Sequence, residues 1–202
     1  MFNSLMEKKM NNLIYKELSI DDLKDDLLDH FNRYQKINNY WGKNNDGVWI
    51  LMNRNDSITE FKNVDNIYDD DWDKSEKVKI INIKLRNSIV NGGFVIGAYF
   101  NNHLIAFANL PGDLFGDNNE YIRLDMLHVS NEYRNMGIGK ELFGICVEKA
   151  KTKGAKKIYI SAHFSKETQS FYKKIGCVDA IYVCKDISEY HPGDDRQLEF
   201  II

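Results

Sequence analysis

The chain has 202 residues, 43% of them apolar and 12% aromatic, enough for one well-packed domain. Charged residues make up 28%, with 27 basic against 30 acidic and a formal net charge of −3, which lacks the basic excess of a general nucleic-acid binder. No run of about 18 apolar residues suggests a membrane span, no basic stretch and apolar core mark a signal peptide in Met1–Glu7, and Cys146, Cys177 and Cys184 form no C-x-x-C pair, which fits a reducing cytoplasm better than a disulfide framework or a zinc site.

Residues 13–18 alternate and predict a first strand. Ser19 and Asp22 have capping-box spacing, and Leu23, Leu27, Phe31 and Tyr34 repeat at helical intervals, so a helix is expected there. Residues 36–73 interleave Trp41, Trp49, Phe61, Tyr68 and Trp72 with Asn, Asp and Gly, which reads as irregular structure with one short strand near 48–52. A helix over 74–90 is predicted by the stripe Val78, Ile81, Leu85 and Ile89, and Gly92-Gly93 ends it. Residues 94–100 and 103–109 flank Asn101-Asn102 and predict a hairpin. A single strand is expected over 121–129, a helix over 137–153 and a strand over 157–162. A helix over 166–175 and strands over 178–184 and 197–202 complete the chain. The order is that of one α/β domain with a mixed sheet flanked by helices.

The charge is unevenly spread. Between Arg134 and Lys174 ten basic residues face three acidic ones, so this stretch carries +7 and the rest of the chain −10. A basic island in an acidic protein suits a polyanionic ligand held in one place, although such clusters are often only solvated helix faces.

The most informative segment is residues 127–140, a strand leading into Arg134-x-x-Gly137-x-Gly139 and then directly into a helix. Two glycines let the backbone approach a ligand, and the first turn of a helix offers unpaired N–H groups and the positive end of its dipole. Such a site suits phosphate oxygens. A dinucleotide fingerprint would need glycine at Leu142. A P-loop would need glycine at Arg134 and a hydroxyl residue at Glu141.

Arg134, Gly137 and Gly139 instead resemble the Gln/Arg-x-x-Gly-x-Gly/Ala motif of the GNAT acyltransferases. Phe171-Tyr172-x-x-x-Gly176-Cys177 is similar to that family's second signature, with Cys177 where phenylalanine is usual. The resemblance covers residues 94–183. It implies a GNAT fold, a splayed mixed sheet of about seven strands, with acetyl-CoA as cosubstrate and no metal. The pantetheine arm would lie between strands 121–129 and 157–162, paired with the backbone of Leu127 and Val129. Its pyrophosphate would rest on the amides of Asn135, Met136, Gly137, Ile138, Gly139 and Lys140, with the charges of Arg134 and Lys140 at the edge.

Acyl transfer to an amine calls for a base and for a proton on the leaving thiolate. By resemblance Tyr172 is the general acid. Asp125 is the candidate base, expected on one strand face with Leu127 and Val129 and opposite His128. The family's glutamate position is occupied here by Arg123, and Glu120 or a water chain are alternatives. Ser165 reads as a helix cap. His128, His163, His103 and His191 suggest no metal site.

These features imply a cytoplasmic N-acetyltransferase acting by direct transfer on a primary amine of a small molecule or peptide. Residues 1–91 would form the acceptor side and 94–183 the acetyl-CoA-binding core of a single domain. Acidic runs at 21–29 and 69–73 point to a cationic acceptor. A non-catalytic acyl-CoA sensor, and an enzyme using a longer acyl chain or an oxygen acceptor, remain open, as does assembly into a homodimer.

Overall fold

The computed structural model describes residues 12–53, 69–188 and 195–202; the readings of Phe61, Tyr68, His191 and Met1–Glu7 lie outside the described residues. Strand β1 (Ile14–Glu17) runs into the capping box, where the Asp22 carboxylate accepts from the backbone N and the Oγ of Ser19, each at 2.8 Å. The helix expected beyond it does not form. Only the 3₁₀ turn Ile20–Asp22 is helical, followed by separate turns closed by Leu27 N to Lys24 O and Phe31 N to Leu28 O. A helix would set Asp21, Asp22, Asp25, Asp26 and Asp29 at mutual spacings of three and four, where like charges repel, and aspartate is a poor helix former. Leu23, Leu28 and Phe31 are nevertheless buried, so the apolar spacing reported burial rather than helix.

Strand β2 (Gln35–Lys36) pairs with β5 (Asp69–Asp70), and β3 (Asn39–Lys43) forms a hairpin with β4 (Trp49–Asn53). The stretch read as irregular therefore holds a second long strand. Its turn is built by Asn44, whose Oδ1 accepts from the backbone of Asp46 and Val48, with Gly47 at φ 75°. Helix α1 covers residues 74–90 as α-helix Lys74–Lys79, π-helix Ile80–Leu85 and α-helix Arg86–Val90. Asp73 and Glu76 cap it reciprocally at 2.8 Å.

Strands β6 (Phe94–Phe100) and β7 (His103–Leu110) form the predicted hairpin, with Asn101 and Asn102 both at positive φ as a two-residue primed turn requires. Then come β8 (Leu114–Phe115), β9 (Tyr121–Arg123), β10 (Met126–Val129), α2 (Ile138–Thr152), β11 (Lys157–Ala162) and α3 (Lys166–Lys174). The chain closes with β12 (Val178–Asp179), α4 (Lys185–Ser188) and β13 (Arg196–Ile201). The strand expected over 178–184 is only two residues long, and Val178, Ile181 and Val183 are exposed rather than alternating into a core.

The sheet is mixed and divided. One blade has the order β1-β6-β7-β10 and is antiparallel; the other has the order β12-β13-β11-β9-β8, with β9 parallel to β11. Helix α2 covers one face of the first blade through Ile138 and Leu142 on Ile96 and Ala106. Helix α1 covers the opposite face through Ile81 and Leu85 on Val95 and Phe107. The second blade packs Ile122, Ile158 and Ile160 against Phe143 and Cys146 of α2.

Candidate active site

The division of the sheet begins at one point. Leu124 N donates to Tyr159 O at 2.9 Å, the last bond joining the β9 segment to β11, and Asp125 N donates to Asn109 O at 2.9 Å. The register nevertheless sets Asn109 opposite Met126, so two residues stand against one: a β-bulge splits the strand expected over 121–129. Beyond it Ser130 N donates to Ile105 O, so by antiparallel alternation Met126 and His128 point their backbone groups at β7. Leu127 and Val129 then point theirs into the gap towards β11, where β10 has no partner strand among the described residues.

The bulge also changes which side chains share a face. Leu127 and Val129 pack with Ile138 and Leu142 of α2, whereas Met126 packs with the α1 side. Asp125, expected beside Leu127 and Val129, lies instead on the α1 side, with Lys84 Nζ 3.4 Å from its Oδ2. Its Oδ1 is held by Arg123 at 2.7 Å, and Asn109 Nδ2 donates to Oδ2 at 3.5 Å. Glu120 does not line the cavity and instead accepts from Asn118 N.

The loop after β10 has Asn135 at φ 63° and Gly137 at φ 83°, and the first bond of α2 is donated by Glu141 to Gly137 O. The amides of Ile138, Gly139 and Lys140 are thereby left without helical acceptors. A Cβ on Gly137 would meet nothing within 4 Å, so its glycine is explained by the left-handed backbone. A Cβ on Gly139 would lie 3.3 Å from the Phe171 ring and 3.5 Å from Val129, so that glycine lets α2 approach α3 and β10. Arg134 turns inward, donating from Nε to Val129 O at 3.0 Å and from an Nη to Arg33 O at 2.9 Å, and so fastens the loop to β10.

Helix α3 is capped by Ser165, whose Oγ accepts from Thr168 N. It ends in a Schellman motif: Cys177 N donates to Tyr172 O, Gly176 N to Lys173 O, and Gly176 has φ 98°. The glycine of the second signature is thus a helix stop, and the Cys177 thiol is buried. Tyr172 lies between Phe143 and Phe171, and burial, with smaller effects from Cys177 and Cys146, pushes its phenol up, so it keeps its proton at neutral pH.

A cleft of about 850 Å³ opens between the blades. Tyr172, Asp125 and all the expected cofactor-contacting residues line it except Met136, which points to solvent. A family model described as the acetyltransferase (GNAT) family matches residues 56–177. The chain belongs to the GNAT family. It is therefore an acyltransferase, and its α/β fold is that of GNAT enzymes of known structure. A Bacillus anthracis str. Ames protein named as a streptothricin acetyltransferase, in complex with acetyl coenzyme A, superposes with a TM-score of 0.63 at 16% identity over 95% of this chain and 99% of that one. PaiA N-acetyltransferase from Thermoplasma acidophilum, in complex with coenzyme A, gives 0.59 at 20% identity over 95% and 99%. Nourseothricin acetyltransferase gives 0.57 at 14% over 93% and 95%. A comparison with curated proteins gives no match.

Several features of this GNAT cleft escaped the sequence. Segment 32–41 bridges its mouth: Asn131 N donates to Asn32 O on one side, and Trp41 N to Phe164 O on the other. Gln169 ties α3 to β11 by donating to Ala162 O and His163 O, and nothing in the sequence marks it. His128, expected opposite Asp125, shares its side of the strand and lines the cleft. It packs edge-on to Trp72 at 4.8 Å between ring centroids. Burial and the positive charges of Arg33 and Arg134 hold its imidazole well below the usual range and so neutral. The cleft's cationic lining comprises Arg33, Lys36, Arg134, Lys140 and Lys174, against Asp125 and Glu167; of the acidic runs, Asp21, Asp22, Asp25, Asp26, Asp29, Asp71 and Asp73 do not line it. Among the described residues no group of three or more His, Cys, Asp or Glu could hold a metal ion, and no helix is long and apolar enough to cross a membrane.

Proposed function

We propose that this GNAT protein moves an acetyl group from acetyl-CoA directly to a primary amine of a small molecule or peptide. The observation that carries the reading is the unpaired edge of β10 at Leu127 and Val129, next to the free amides that open α2. The edge offers a strand-like partner to the two amides of pantetheine. The Leu127 N–H, the Leu127 carbonyl and the Val129 N–H serve it, because the Val129 carbonyl is already engaged by Arg134. The amides of Ile138, Gly139 and Lys140 hold the pyrophosphate, assisted by the helix dipole and the Lys140 charge. Asn135 and Gly137 shape that turn, Met136 contributes through backbone alone, and Arg134 fixes the turn to the strand.

In the transfer the amine nitrogen bonds to the thioester carbon, the C–S bond breaks, and the sulfur takes the electron pair. Tyr172, protonated and on the cleft wall, gives its proton to that sulfur. Asp125 acts as a positioning residue, holding the bulge through Asn109, Arg123 and Lys84. Residues 1–91 supply the acceptor side in this reading, which the bridge of segment 32–41 over the cleft mouth supports. With Lys140 serving the pyrophosphate and Arg134 the turn, the lining still holds Arg33, Lys36 and Lys174 against Asp125 and Glu167, which favours a neutral or anionic amine over the cation suggested by the acidic runs.

A thiol-release assay with acetyl-CoA across neutral, anionic and polycationic amines tests the reading. Amine-dependent release, greatest with non-cationic acceptors, is expected. Acetyl-CoA binding without stimulation by any amine would leave the sensor reading, and release with longer acyl thioesters or alcohols alone would leave the other acyltransferase readings.

A further inference from the structure

Two histidines, His128 and His163, line the cleft and are not used by the transfer described above, and burial keeps the His128 imidazole neutral. We propose that His128 is the catalytic base, taking the proton from the acceptor nitrogen as the N–C bond forms; this rests on the reading of an amine acceptor.

The bulge at Asp125–Met126 puts the proposed base in place. It turns the His128 side chain to the α1 side of β10, while Leu127 and Val129 keep their backbone towards the gap. His128 therefore lies in sequence between the two residues assigned to pantetheine, and it lines the same cleft as Tyr172. Its ring is fixed by aromatic packing, edge-on to Trp72 and tilted against Phe107 at 5.7 Å between centroids. That packing presets the ring's orientation.

The charged and titratable groups around it are Arg33 on the bridge, Arg134 before α2, His163 after β11 and Asp125 on its own segment. The Asp125 charge is offset by Arg123 and Lys84, so the field at His128 is positive. A positive, poorly solvated surrounding disfavours every nearby cation. It keeps the imidazole neutral, and it equally favours the neutral form of an amine bound beside it. An alkyl ammonium in water has a pKa of about 10.4, far above a histidine. Once the nitrogen has attacked the carbonyl it is positive and much more acidic, which brings its proton within reach of a neutral imidazole. The nitrogen loses one proton to His128, the sulfur gains one from Tyr172, and solvent entering the open cleft resets both groups.

Replacing the ring tests this directly. His128→Phe retains an aromatic ring against Trp72, so acetyl-CoA affinity by calorimetry and the melting temperature should change little. kcat should fall by roughly 10²- to 10⁴-fold, the range of a general base. In His128→Gly, added imidazole should restore turnover in proportion to its neutral form as pH is varied, which a merely structural histidine would not show. If His128→Phe fails to fold, the same fall in kcat is read in His128→Gln. Turnover within about threefold of wild type in a folded variant, or the absence of imidazole rescue, overturns the proposal while leaving the acetyltransferase reading intact. Absence of amine-dependent thiol release from the wild-type protein overturns both.

Discussion

The backbone N–H of Asp125 donates to the carbonyl of Asn109 at 2.9 Å, although the strand register sets Asn109 opposite Met126. That extra residue reverses the alternation of the strand. Without the bulge, Leu127 and Val129 would turn their backbone to β7 and leave no edge for a ligand. Side-chain chemistry supports the distortion: the Asp125 side chain is only 5% exposed and is held by Arg123, Lys84 and Asn109.

Asp125→Asn should therefore act on stability more than on chemistry. It preserves shape but leaves Arg123 and Lys84 without their shared anion, a loss expected at about 1–3 kcal/mol. Chemical denaturation measures this, and kcat should fall by no more than about tenfold. A fall of roughly 10²-fold or more with unchanged stability would instead make Asp125 the base.

The loop before α2 separates two kinds of glycine. Gly137→Ala meets no neighbour but must hold φ 83°, which costs about 1 kcal/mol for a residue with a Cβ. Relaxing that strain redirects the following amides, so acetyl-CoA affinity should drop by about tenfold with little change in melting temperature. Gly139→Val drives into Phe171 and Val129. It should abolish binding and also destabilise the fold by about 1–3 kcal/mol, as overpacking does. Calorimetry and thermal unfolding on both variants separate the two effects, and an unchanged affinity in folded Gly139→Val would remove the site from this loop.

Tyr172→Phe should lower kcat by roughly 10²- to 10⁴-fold while leaving acetyl-CoA affinity nearly unchanged. The ring remains packed against Phe143, so stability should hold. Because burial raises the phenol, its deprotonation should add no alkaline limb to the rate profile below pH 10. Full turnover of the variant with a good acceptor would move the acid elsewhere.

The sequence made the loop at Arg134–Lys140 legible because its glycines, strand and helix are local in the chain. The hairpin at Asn101-Asn102 was legible for the same reason. The bulge was not: residues 121–129 alternate acceptably as one strand, and only the Asn109 partner, distant in sequence, selects the break. The bridge over the cleft was hidden by asparagine-rich composition, and its tie to Phe164 is again long-range. His128 reads as an ordinary strand residue until Trp72 and Arg33 are placed beside it. The failed helix after Ser19 shows the reverse case, in which apolar spacing suggested regular structure that the repelling aspartates exclude.

Those same aspartates give a pH signature. Asp22 is held down to about 2 by the hydrogen bond from Lys16 Nζ, followed by those from the Ser19 backbone and hydroxyl. A carboxyl depressed in the folded state stabilises the fold at every pH above its unfolded value, here near 3.8, and that contribution disappears as pH falls towards about 2. Below that value it is absent. In Asp22→Asn the loss of stability between about pH 4 and 2 should be smaller than in wild type, as read by denaturant midpoints across that window. The Lys16 side chain is 53% exposed, so the ion pair is screened, and raising salt should lift the Asp22 titration towards its ordinary value. Carboxyl chemical shifts followed by NMR check this residue by residue. A titration midpoint near 4 at low salt would show that the Lys16 and Ser19 contacts do not hold the charged form.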